Sequence, residues 1–160
     1  MTIKQGDTLP TGSFMTMTEN GPTPVSTDEL FGGKTVALFS LPGAFTPTCS
    51  AKHLPGYKEQ AQALHDKGVD TIACTSVNDV FVLHAWEKDQ GSHGDIQMLA
   101  DGNATFVKAL GLDFDGSAFG MGTRGQRFSA LVKDGVVTHL NVEEPGEFRV
   151  SSAEYLLEQL

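Results

Sequence analysis

The run Thr35-Val36-Ala37-Leu38-Phe39-Ser40-Leu41, followed at once by Pro42-Gly43-Ala44-Phe45-Thr46-Pro47-Thr48-Cys49-Ser50, decides how this chain is read. A continuous apolar, β-branched and aromatic stretch suits a strand buried on both faces, as in the parallel sheet of an α/β protein. Pro42-Gly43 breaks it. Leu54, Tyr57, Ala61 and Leu64 then recur at helical spacing, with Gly68 as a C-terminal stop, so a helix begins at about Cys49. Pro55-Gly56 falls inside that helix and should kink it.

Outward from this unit the alternation continues. Thr71 to Val77 reads as a second buried strand, and Asp79 caps a helix running to Gln90. Ile96 to Ala100 is a short strand, and Asp101-Gly102-Asn103 leads into a helix over Ala104 to Leu110. Phe128 to Val132 and Val136 to Val142 flank Lys133-Asp134-Gly135, a hairpin signal. Ser151 or Ser152 caps a final helix to Leu160. Toward the N-terminus, residues 19 to 27 read as a turn between extended segments. Strands alternating with helices imply a mainly parallel sheet, and the hairpin adds an antiparallel edge. The expected architecture is one α/β domain over residues 1–160, thioredoxin-like. Its central mixed sheet is flanked by helices and carries an N-terminal extended or hairpin addition.

Composition narrows the function classes. The chain has 160 residues, 39% hydrophobic and 19% charged, which is a globular balance. Lys and Arg number 11 against 20 Asp and Glu, for a net charge of -9. Nucleic acid and anionic membrane are disfavoured, because both call for clustered cations. No apolar run approaches the roughly 20 residues that span a bilayer. The polar N-terminal stretch lacks a secretory pattern, so the cytoplasm is the expected location. The two cysteines, Cys49 and Cys74, make neither a disulfide framework nor a zinc set, and none of the five histidines shows metal-ligand spacing.

Cys49 is placed to react. It follows a strand's C-terminal end, where α/β sheets build sites. It also lies in the first turn of a helix, where unpaired amides and the positive end of the macrodipole favour an anion. Such a position lowers a thiol pKa from about 8.5 toward ~3.5–7.5. A cysteine at a helix start is more often a buried small hydrophobe, and the neighbours change that reading. Pro42, Thr46 and Cys49 form Pro-x-x-x-Thr-x-x-Cys, which resembles the active-site signature of peroxiredoxins. The stretch Lys52-His53-Leu54-Pro55-Gly56-Tyr57 is similar to the Prx5 group, which includes the plant type II enzymes. So are Cys74 to Asp79, Trp86, Leu99-Ala100-Asp101, Arg124-Gly125-Gln126-Arg127-Phe128 and Asn141-Val142-Glu143.

That resemblance implies a thiol peroxidase with Cys49 as nucleophile. Arg127 would stabilise the thiolate and the charge on the departing oxygen. Thr46 would hydrogen-bond the thiolate or the peroxide, and Pro42 would shield the pocket. Backbone amides of Thr48 and Cys49 would bind peroxide oxygens, with Arg124 in support. From the residues alone, Thr46 also reads as a helix cap, Pro42 as a strand stop, and Arg124 and Arg127 are interchangeable. Cys74, within an apolar strand, reads as structural. Residues 147–152 hold no sulfur where some relatives carry a resolving cysteine, which implies a one-Cys cycle.

The reductant implied by resemblance is glutathione with glutaredoxin, and thioredoxin is the alternative. Substrates would be hydrogen peroxide and alkyl hydroperoxides, with no metal or organic cofactor, in a homodimer. His53, at i+4 from Cys49, reads as packed or partner-bonded. Trp86 and Phe119 read as core or dimer interface. Two other classes stay open: a redox-inactive binding or holdase protein, and a disulfide oxidoreductase. The second lacks the usual Cys-x-x-Cys dithiol, since position 46 is Thr.

Overall fold

The structure is a computed structural model that describes residues 2–160. Its centre is the strand quoted above, β3 (Thr35–Ser40). It runs parallel to β4 (Thr71–Ser76), and β4 runs parallel to β5 (Gln97–Ala100). On the other side β3 pairs antiparallel with β8 (Phe128–Lys133), which turns back into β9 (Val136–Val142). The hairpin β1 (Ser13–Thr18) and β2 (Gly21–Ser26) joins at β5, giving the order β2-β1-β5-β4-β3-β8-β9. A two-stranded ribbon, β6 (Asp113–Asp115) and β7 (Thr123–Gly125), stands apart from this sheet.

Side-chain alternation sorts the core into two layers. Phe39, Ile72, Cys74, Met98 and Leu131 point to one face. There they meet α2 (Leu54–Glu59), α3 (Ala61–Asp66), α4 (Val80–Gln90) and α6 (Ala153–Glu158) through Leu54, Tyr57, Leu64, Trp86 and Leu156. Val36, Leu38, Ala73, Leu99 and Val132 point to the other. They are covered by α1 (Thr27–Phe31) and α5 (Thr105–Leu110). This is the expected thioredoxin-like mixed sheet between helices. Among the described residues no helix is long and apolar enough to cross a membrane.

Two local readings change. Only Glu19 and Asn20 form the turn expected over 19–27, because Gly21–Ser26 is strand β2. Pro22 and Pro24 are tolerated because β2 is the outermost strand, where a missing N–H costs no ladder bond. Ser26 then caps α1, its Oγ accepting from Glu29 N at 3.1 Å. Finally, the single kinked helix from Cys49 to Gly68 is three pieces: a π-helical turn over Cys49–His53, then α2, then α3 after a break at Gln60. Pro55 sits in the first turn of α2 and supplies no N–H to the turn before it, which explains why the ladder widens there. The hairpin turn is as read, with Asp134 (φ 47) and Gly135 (φ 79) both left-handed.

Candidate active site

Strand β3 ends at Ser40, and antiparallel β8 begins opposite it, with Ser40 paired to Phe128. Arg127 therefore emerges beside the loop that leads to Cys49. Arg127 Nη2 donates to Cys49 Sγ at 3.1 Å, and the sulfur's residue has no exposed surface. Nη1 of the same guanidinium donates to His53 Nδ1 at 2.8 Å. Arginine offers only donors, so Nδ1 is an unprotonated acceptor and the ring proton sits on Nε2. Nε2–H donates to the Ser151 carbonyl at 3.0 Å, which Tyr57 OH also approaches at 3.2 Å. Burial, with the Arg127 charge second, holds the His53 pKa down at about 3, although the Ser151 carbonyl pulls the other way. His53 is a neutral imidazole at physiological pH. Phe39, Tyr57 and Phe148 pack around its ring, and Phe148 also faces the Arg127 guanidinium at 5.8 Å.

The loop over Cys49 is held from several sides. Ala44 N donates to Asn78 Oδ1 at 3.0 Å, and that oxygen also accepts from Ser76 Oγ at 2.7 Å, so the end of β4 pins the turn. Arg124 donates to the carbonyls of Met121 at 2.9 Å and Pro42 at 3.3 Å. Glycine at 43 leaves room for this contact, since a Cβ there would lie 2.9 Å from Arg124 Nη1 and would push that arm of the guanidinium aside. Phe45 takes a left-handed φ of 63, a cost of about 1 kcal/mol or more for a side-chain-bearing residue. That backbone turn leaves its ring 54% exposed at the rim. Thr46 Oγ1 donates to the Gly43 carbonyl at 2.6 Å, and the Thr46 carbonyl accepts from Ser50 N.

Of the sequence-derived site residues, Cys49 and Arg127 meet directly. Arg124 instead holds the loop through Pro42. Thr46 commits its hydroxyl proton to Gly43 rather than to sulfur, which leaves the peroxide half of that expectation. Thr48 precedes the π turn without a side-chain cap bond. Cys74, fully buried in β4, lies in the same core layer as Cys49 and is free, like Cys49. Burial above all, then a charge on Cys49, pushes the Cys74 thiol pKa well above the ordinary value, against the pull of Arg127. Trp86 is core, its indole N–H donating to Ser50 Oγ at 3.0 Å, whereas Phe119 is 80% exposed and packs in no core. Asn78, Phe148, Ser151 and the acceptor role of His53 escaped sequence reasoning. Only Asn78, just past a strand's C-terminal end, had a local signal.

Comparison with known proteins agrees with this arrangement. The Redoxin family profile matches residues 4–157. Peroxiredoxin-2E-2, chloroplastic, of Oryza sativa subsp. japonica is 48% identical over 99% of this chain and 73% of its own length. Peroxiredoxin-2B of Arabidopsis thaliana is 46% identical over 99% of this chain and 98% of its own. The crystal structure of reduced Prx3 from Vibrio vulnificus in complex with H2O2 superposes with a TM-score of 0.95 at 51% identity, covering 98% of each chain. A sulfur met by an arginine at the end of a thioredoxin-like strand, and relatives of this kind along the whole chain, place it in the Redoxin family, among the peroxiredoxins of plant type II and Prx5-like kind.

Proposed function

We propose that this protein reduces hydrogen peroxide and alkyl hydroperoxides through Cys49, in a one-Cys cycle regenerated by glutathione and glutaredoxin. The observation that carries the reading is the 3.1 Å hydrogen bond from Arg127 to a sulfur with no exposed surface. A buried thiolate needs a counter-charge, and a guanidinium supplies one at every physiological pH. The Cys49 thiolate attacks one peroxide oxygen and the O–O bond breaks. The sulfur loses two electrons and becomes sulfenic acid, and the departing oxygen takes a proton to leave as water or alcohol. Arg127 faces the charge developing on that oxygen. Thr46, its own proton committed to Gly43, has lone pairs left to accept a peroxide O–H. Backbone amides of Thr48 and Cys49 serve as donors, and Pro42, fixed through its carbonyl by Arg124, closes the pocket.

Regeneration follows from what surrounds the sulfur. Residues 147–152 contain no cysteine, and Cys74 is a protonated core thiol at neutral pH. An external thiol therefore condenses with the sulfenic acid, releasing water, and a second thiol exchanges off the mixed disulfide to restore Cys49. A thiol as large as glutathione reaches a fully buried sulfur only if the π turn and its loop open, and single π turns within helices are frequent at functional sites. The cytoplasm is the proposed setting, since two free thiols suit a reducing compartment. A homodimer is proposed because two large side chains are exposed, Phe45 within the loop and Phe119 two residues before the Met121 carbonyl that Arg124 holds.

The deciding experiment is steady-state peroxide turnover with glutathione plus glutaredoxin and with thioredoxin supplied separately, with a sulfenic-acid trap read by mass spectrometry at Cys49. Turnover with the first system and a trapped adduct at Cys49 is expected. Turnover with thioredoxin alone would transfer the reductant role, and a peroxide-treated protein with no adduct at Cys49 would remove the nucleophile.

A further inference from the structure

Glu143 follows the end of β9 and is 6% exposed. Its carboxylate accepts five hydrogen bonds from one short segment: Arg149 N on both oxygens at 2.9 and 2.8 Å, Val150 N at 2.9 Å, Ser151 N at 2.8 Å and Ser151 Oγ at 2.6 Å. Burial pushes this carboxyl pKa up, but the bonds from Ser151, Arg149 and Val150 together outweigh it and hold the group below its ordinary value. The backbone N–H of the same residue donates to the Arg127 carbonyl at 3.0 Å. Glu143 thus grips the strand end that carries Arg127 and the loop that carries the Ser151 carbonyl.

We propose that Glu143 and His53 are positioning residues that aim the Arg127 guanidinium at Cys49: the Glu143 carboxylate accepts from the Ser151 N–H and hydroxyl, the Ser151 carbonyl accepts from His53, His53 accepts from Arg127, and the Arg127 carbonyl accepts from Glu143 N, which closes the ring. The inference rests on the reading that Arg127 stabilises the Cys49 thiolate. Each link has a chemical reason. The Ser151 carbonyl can only accept, so it fixes the ring proton on Nε2. That tautomer leaves Nδ1 with a lone pair toward Arg127 Nη1. With one arm of the rigid fork fixed, the other arm points at the sulfur. A carboxylate in the place of His53 would hold the fork equally well but would neutralise the charge that the thiolate needs. A neutral acceptor orients the cation and leaves its charge for the sulfur. The ring's Ser151 end also receives Tyr57 OH, so the groups around His53 are Arg127, Cys49 beyond it, Tyr57, Phe39, Phe148 and the Ser151 carbonyl.

The test uses the full-length protein and two readouts, the bimolecular rate with hydrogen peroxide and the pH midpoint of Cys49 alkylation. His53→Phe keeps an aromatic ring but removes the acceptor. It should slow peroxide reduction about 10–100-fold, the range for losing a hydrogen bond to a charged group, and raise the alkylation midpoint. His53→Gln offers an amide oxygen to Arg127 and should recover most of that loss. Glu143→Gln turns an amide N–H2 toward the donors of 149–151 and should slow the reaction about 10-fold, with a smaller rise of the midpoint. Nitrogen NMR of the unaltered protein reads His53 without any substitution: a neutral Nε2–H ring from pH 5 to 8 is expected.

A neutral Nδ1–H ring or an imidazolium at pH 7 would overturn the proposal. So would folded His53→Phe and Glu143→Gln proteins with unaltered rate and midpoint. Arg127→Ala separates the two levels. If it leaves the midpoint unmoved, the thiolate reading beneath the proposal fails. If it raises the midpoint while His53→Phe does not, only the positioning ring fails.

Discussion

Cys49 and Cys74 are both fully buried, both free and both part of the core layer on one face of the sheet, yet their surroundings differ in kind. Cys74 stands mid-strand in β4, between Phe39 of β3 and Met98 of β5, with its backbone in the ladder. Its environment disfavours ionisation, and it packs as a small hydrophobe. Cys49 stands where a strand has ended and a widened helical turn starts, and a guanidinium donates to its sulfur. Burial is common to both sulfurs, whereas the hydrogen bond from a guanidinium belongs to Cys49, and a fixed cation is what a buried thiolate needs under the proposed function.

The comparison can be broken most directly by exchanging the sulfurs one at a time. Cys49→Ser is expected to abolish peroxide consumption, while Cys74→Ser keeps it within about twofold, since only the thiolate is the nucleophile. Equal losses in two folded variants, measured by stopped-flow peroxide decay, would erase the distinction and the one-Cys cycle with it. Next in size is Arg127→Ala. It should cut the rate about 10²–10³-fold, the usual effect of removing one charge-stabilising donor, and raise the pH midpoint of Cys49 alkylation. An unmoved midpoint would show that something other than the guanidinium stabilises that sulfur.

Stability distinguishes the sites in the opposite sense. Cys74→Ser places a hydroxyl in a packed apolar layer and should cost about 1–3 kcal/mol, read as a lower urea midpoint. No loss would mean that the β4 site is looser than its packing shows. A further difference lies in the pH dependence of stability. His53 has a folded pKa of about 3 against an unfolded value near 6.5, so between these the unfolded chain binds a proton the native one refuses. Stability should then fall as pH drops below about 6.5, with a slope approaching 1.4 kcal/mol per pH unit, and His53→Gln should remove that slope. Glu143 acts lower on the scale. Its folded pKa is depressed, so its contribution is present above the ordinary carboxylate range and is lost as pH falls through the folded value.

Much of this was legible locally. The apolar run into Pro42-Gly43 marked β3 and its end, Asp79 marked the start of α4, and Asp134-Gly135 marked the hairpin, because each signal lies within a few residues of the feature it specifies. Where local cues misled, a distant fact prevailed. Pro22 and Pro24 look like a turn, but the outer edge of a sheet accepts them. Phe119 reads as core or dimer interface, and the 3₁₀ turn over Ser117–Phe119 that leaves it exposed removes the core half of that reading.

The order of residues by itself determined the strand-loop-helix frame around Cys49 and the pattern Pro42, Thr46, Cys49, since propensity, turn chemistry and spacing act over short range. The residues alone left Arg124 and Arg127 open and the resemblance pointed to Arg127; how that arginine reaches the sulfur, and what aims it, was decided by tertiary structure. Cys49 and Arg127 are 78 positions apart, His53 and Arg127 are 74 apart, and His53 and Ser151 are 98 apart. Only the antiparallel return of β8 alongside β3, and the grip of Glu143 on residues 149–151, bring those donors and acceptors within 3 Å or so of one another. A hydrogen bond has a direction as well as a distance, and a linear chain carries neither until its strands are paired.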